Sequence, residues 1–177
     1  MTKSLDSIQQ QVKRRNFDSP PLHLWHPALS GDIAINIDAE GRWFHEGSPI
    51  QRESLVRVFA SILRREEDGE YYLVTPVEKW RITVALHPLI VTDIAVQEEG
   101  ARAYLQATLN TGKTVPINAQ HALFLEPAVG DVAALQLDHG LSALLSRAAW
   151  YRLVDMAVER EGVPTIISGD YQFPLAP

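Results

Sequence analysis

The chain has 177 residues, no cysteine and a formal net charge of -6. The absence of cysteine excludes disulfides, thiolate catalysis and cysteine-ligated zinc. The acidic balance argues against a nucleic-acid duplex as the main partner, because phosphate binding needs a basic footprint. With 46% hydrophobic and 21% charged residues, the chain has the composition of an ordinary folded protein.

Met1 to Phe17 carries charges throughout and lacks the apolar core of a secretory signal. The longest uncharged stretches, Ile82 to Thr92 and Thr114 to Leu125, are shorter than a membrane span. A cytoplasmic location is therefore expected. Leu5, Ile8 and Val12 recur at helical spacing behind Ser4, a residue suited to capping. Lys13, Arg14 and Arg15 follow near the end of that helix, where cations complement the macrodipole. Pro20, Pro21 and Pro27 make the next stretch an extended connector. Residues 1–30 thus read as a helix and a Pro-rich link.

A first α+β unit is expected over 31–86. Ile33, Ile35 and Ile37 alternate as in a half-buried strand, Asp38 to Gly41 turns, and Arg42 to His45 returns. The spacing of Leu55, Phe59, Ile62 and Leu63 predicts a helix over Arg52 to Arg65. Strands are expected over Glu70 to Thr75 and Trp80 to Leu86.

A second α+β unit is expected over 87–177. Its strands are Leu89 to Val96, Ala103 to Leu109 and Lys113 to Ile117, with a short one near Ala133 to Leu137. A long helix over Leu141 to Arg160 is closed by Gly162, and Val163 to Ser168 forms a final strand. Each hairpin leads to one helix and each helix to a strand. The fold class is therefore α+β, with duplicated β-hairpin–helix–strand units.

Most motifs fail on spacing. Asn110-Thr111-Gly112-Lys113-Thr114 imitates a phosphate loop, but Ala107 replaces the required glycine and a strand follows, so it reads as a hairpin turn. His23 and His26 lie in the connector, and the other histidines are scattered without ligand spacing. No metal, cofactor or catalytic residue is expected. The acidic run Glu66, Glu67, Asp68 and Glu70 brackets a turn glycine and reads as a solvated loop. What survives is a polar set in the first unit. Arg52 stands at a helix start beside free N–H groups. Trp43 and His45 share a strand face, and Thr75 to Arg81 concentrates polar groups at a strand junction. Core tryptophans with a rim of salt bridges are the structural alternative.

Two segments, Gly41-Arg42-Trp43-Phe44-His45-Glu46-Gly47-Ser48-Pro49-Ile50-Gln51-Arg52 and Tyr72-Leu73-Val74-Thr75-Pro76-Val77-Glu78-Lys79, resemble the bacterial domain of unknown function 1285 family. Gly140 to Arg147 and Ile167-Ser168-Gly169 are similar to its second half. Where relatives often read Arg-Gly-Gly, this chain has Asp138-His139-Gly140. The resemblance implies a duplicated fold with a C-terminal half superficially like a pleckstrin-homology domain. It also implies a pocket between the halves for a nucleotide-based ligand, and a role in signalling. The positions it carries over as ligand-binding are Trp43, His45, Arg52, Thr75, Glu78 and Lys79, with Arg147, Tyr151 and Ser168 from the second half.

The leading expectation is a non-catalytic protein that binds a nucleotide-like anionic small molecule. An aromatic face would stack the base while Arg52 and Lys79 neutralise phosphate. The alternative is a protein-interaction adaptor with no small-molecule ligand. An enzyme using His45 with Glu78 would need both groups within hydrogen-bond reach of a substrate.

Overall fold

The alternating isoleucines at the start of the first unit form β1 (Gly31–Ile37), in which Ile33, Ile35 and Ile37 are buried. Asp38 closes the turn to β2 (Trp43–His45) by accepting hydrogen bonds on Oδ1 from the Glu40 and Arg42 amides. The computed structural model describes residues 2–13 and 20–176. They divide into two units: Met1–Pro88 with His139–Leu141, and Leu89–Asp138 with Ser142–Pro177. Among the described residues, no helix is long and apolar enough to cross a membrane.

In the first unit, α1 (Thr2–Lys13) precedes the connector. The side chains of Lys13, Arg14 and Arg15 lie outside those described. After β2 come β3 (Ser48–Pro49), α2 (Glu53–Ser61), β4 (Leu63–Arg65), β5 (Tyr71–Val74) and β6 (Lys79–Val84). The sheet order is β3-β2-β1-β6-β5-β4, antiparallel throughout except for the central β1–β6 pair. The expected helix over Arg52 to Arg65 is shorter. Leu63 leaves it to pair with Leu73 as β4, and both side chains are fully buried as cross-strand neighbours.

The second unit runs β7 (Leu89–Glu99), β8 (Arg102–Leu109), β9 (Thr114–Pro116), β10 (Leu123–Glu126), β11 (Val132–Gln136) and β12 (Ser142–Leu145). Then come α3 (Arg147–Asp155) and a separate sheet of β13 (Val158–Arg160), β14 (Val163–Ser168) and β15 (Tyr171–Pro174). The order β10-β11-β12-β7-β8-β9 repeats the first unit's pattern strand for strand. The first and sixth strands are again the parallel central pair. The helix does not repeat its place. It follows the third strand in the first unit and the sixth in the second.

The long helix expected over Leu141 to Arg160 is corrected accordingly. Ser142 to Leu145 lies mid-sheet, parallel to β7 and antiparallel to β11. The helix begins only where the Ser146 hydroxyl caps it, accepting from the Ala149 amide at 3.1 Å. Gly162 does not end a helix. With Glu161, also at positive φ, it turns β13 into β14.

Part of the first sheet's core lies on the face covered by α2, and β5 is buried on both faces. Phe59 is fully buried and stacks against Trp43 with ring centroids 6.2 Å apart. Phe59→Ala is expected to destabilise the chain by about 3–5 kcal/mol, and Ser146→Ala by about 1 kcal/mol. Urea unfolding of the whole chain measures both. A Phe59→Ala cost under ~1 kcal/mol would contradict this packing.

Candidate functional site

Strand alternation decides which first-unit residues can meet. Register pairs Trp43 with Ile37 and His45 with Ile35, Ile37 with Val84, and Trp80 with Leu73. All of these side chains therefore share the α2 face. The Trp43 and Trp80 indole N–H groups and His45 Nε2 are buried there without a hydrogen-bond partner. Lys79 and Arg81 point to the opposite face. The aromatic surface of Trp43 and the Lys79 cation are thus on opposite sides of one sheet, not in one cleft.

Lys79 is committed on its own side. Its Nζ lies 2.8 Å from Glu66 Oε1 and 4.7 Å from the Tyr72 ring centroid. The other Glu66 oxygen takes Arg64 Nη2 at 2.6 Å, and Arg64 Nη1 donates to the Leu22 and Trp25 carbonyls at 2.9 Å each. This chain of contacts fastens the Pro-rich connector to the sheet. Burial pushes the Glu66 pKa up, but hydrogen bonds and charge from Lys79 and Arg64 outweigh it, and the net shift is downward.

Thr75 and Glu78 form a turn in which the Thr75 hydroxyl accepts from the Glu78 amide at 3.0 Å. Glu78 also takes the Ser7 hydroxyl at 2.9 Å and the Gln11 amide, so α1 engages both of its oxygens. That leaves no free carboxylate to pair with His45. Arg52 is exposed at the start of α2 and makes no side-chain capping bond.

In the second unit, Arg147 and Tyr151 are exposed one turn apart on α3. Ser168 is 3% exposed at the end of β14. Its hydroxyl accepts from the Leu105 amide at 2.8 Å and donates to the Ile117 carbonyl at 2.6 Å. It therefore joins β14 to β8 and to the residue after β9.

That junction forms the wall of a cleft of about 710 Å³. Ile117 and Pro116 give it apolar surface. Tyr104 and Tyr171 add aromatic rings, and Asn118, Gln120 and Gln172 add amides. Several walls are fixed. The Asn118 side chain accepts from the Gln120 and His121 amides, and the Gly169 amide donates to the Ala103 carbonyl at 2.9 Å. The Tyr171 hydroxyl accepts from the Leu123 amide at 2.9 Å, and burial raises its pKa despite that bond. Its mixed apolar and polar lining can bind a small molecule, and the Ser168 hydroxyl is held by the Leu105 amide and the Ile117 carbonyl rather than by a base. Of the nine expected site residues, only Ser168 lies here. The rest of the lining comes from three separated segments whose residues read individually as strand and turn positions.

The description "Domain of unknown function (DUF1285), N-terminal domain" matches residues 20–85, and "Protein of unknown function (DUF1285), C-terminal domain" matches residues 88–175. The chain belongs to the DUF1285 family. This DUF1285 protein is similar to a solved family member from Silicibacter pomeroyi DSS-3, 34% identical with a TM-score of 0.83, covering 94% of this chain and 93% of that one. A second, from Shewanella baltica OS155, is 30% identical with a TM-score of 0.59, covering 70% of this chain and 91% of that one. No curated protein matches the chain.

Two outcomes test the roles of the expected residues in this DUF1285 chain. Ser168→Ala leaves the buried Leu105 amide without its acceptor and should cost about 1–3 kcal/mol in urea unfolding. A neutral result would remove Ser168 from the junction. For Glu66, a lowered folded pKa adds stability above the ordinary carboxylate value, and that stability is lost as pH falls through the folded value. Glu66→Gln should therefore make the acid-side loss of stability shallower. An unchanged pH profile would show that the Lys79–Glu66–Arg64 contacts contribute nothing.

Proposed function

We propose that this DUF1285 protein is a non-catalytic ligand-binding module and that its site is the second-unit cleft. The observation that carries this reading is the cleft itself. Its volume of about 710 Å³ falls in the range of small-molecule sites, and it combines apolar surface with two tyrosines and three amides. A planar polar molecule suits that lining, with rings for stacking and amides for hydrogen bonds. A module that binds without reacting reports occupancy, which is the chemistry of a sensor in signalling. The anionic nucleotide-like ligand expected from Arg52 and Lys79 draws less support, because Lys79 is held by Glu66.

A second reading, a protein-interaction adaptor, is favoured by one observation. Tyr151, Val154 and Val158 are 60%, 42% and 45% exposed on α3 and the strand that follows. The two readings separate experimentally. Thermal shift against nucleosides, nucleotides and neutral polar aromatics should find a stabilising compound, and saturation at ~100 times its Kd adds about 2.7 kcal/mol. Tyr104→Ala should abolish that shift, whereas Tyr151→Ser should leave it intact. No stabilisation by any compound at millimolar concentration would count against the cleft.

A further inference from the structure

The cleft carries three charged side chains, and their arrangement is specific. Arg102 opens β8 directly opposite Glu99, its cross-strand partner at the end of β7. Side chains so paired stand about 5 Å apart at Cβ. Arg102 Nη1 lies 3.1 Å from Asp170 Oδ2. Asp170 is brought there by the turn between β14 and β15, which the Gly169 amide fastens to the Ala103 carbonyl. The one cation of the lining thus pairs with Asp170 and stands in register with Glu99, and the lining carries one net negative charge.

We propose that this arrangement selects the ligand by charge: the cleft takes neutral or cationic polar aromatic molecules and rejects carboxylates and phosphates, with Glu99 and Asp170 as the selecting residues. The inference rests on the cleft being the ligand site. An anion entering it meets the charges of Glu99 and Asp170 and competes with Asp170 for Arg102. A neutral ligand leaves the pair in place, and a cation is attracted by the surplus carboxylate. The Arg102 and Asp170 side chains are 72% and 82% exposed, so the discrimination is moderate and weakens with salt.

Three probes of one shape and different charge test this: benzamidinium, benzamide and benzoate. Each is titrated into the whole ¹⁵N-labelled chain at low ionic strength, following the amides of Leu105, Gln120 and Gly169. Benzamidinium is expected to bind most tightly and benzoate most weakly. The Glu99→Gln, Asp170→Asn double variant should strengthen benzoate binding by about fivefold per charge removed and weaken benzamidinium to a similar degree. Both substitutions are at exposed positions, and an unchanged amide spectrum away from the cleft establishes that the variant is folded. Equal affinities for the three probes, or a double variant that ranks them as the wild type does, would overturn the charge selection while leaving the cleft as a binding site. No shift at any cleft amide with any probe would overturn the cleft reading and the selection together.

Discussion

The parallel hydrogen bonding of the first and sixth strands holds each unit together. Antiparallel neighbours can be joined by a tight turn, but a parallel pair needs a long crossover. Each unit meets that need with four intervening strands, which add two to each side of the central pair. In the first unit the joint brings β1 beside β6. In the second it brings β12 beside β7, and everything outside the pair follows from that closure. The helices are subordinate to it. One sheet acquires its helix between the third and fourth strands and the other after the sixth, with no change in strand order.

The second unit has further chain to place after its sheet is complete. That extra chain, α3 and the three-stranded sheet, has no counterpart in the first unit. Ser168 ties β14 to β8 and to Ile117 through a single hydroxyl that both donates and accepts. The turn that follows fastens Gly169 to β8 and sets the Tyr171 hydroxyl against the start of β10. The cleft is thus a product of joining two sheets. Much of the polar set of the first unit is engaged in contacts of its own. Lys79, Glu66 and Arg64 fasten the connector, and Glu78 fastens α1.

Much of the fold was legible because strands with one buried face announce themselves by alternation. Ile33, Ile35 and Ile37 did so, and the turns at Gly41 and Gly112 were readable from glycines that adopt positive φ. The Leu141 to Leu145 run is ambiguous in sequence, because Leu141, Leu144 and Leu145 also fit a helical stripe. A short apolar run buried on both faces has no period of its own. Ser146, a capping residue in the middle of the expected helix, was the signal that the helix starts late. The candidate site was less legible for a different reason. Trp43 and Lys79 are close in chemistry but separated by the thickness of a sheet, which only register reveals. Tyr104, Asn118 and Tyr171 are ordinary strand and turn residues until β14 is set against β8.

The most direct test of the cleft as the functional surface of this DUF1285 chain is a crystal structure of the whole protein soaked with a mixture of neutral polar aromatic fragments. The account predicts fragment density between Tyr104, Asn118 and Tyr171, with the Arg102–Asp170 pair intact. Density beside Trp43 or Lys79, with the second-unit cleft free of fragment, would contradict it.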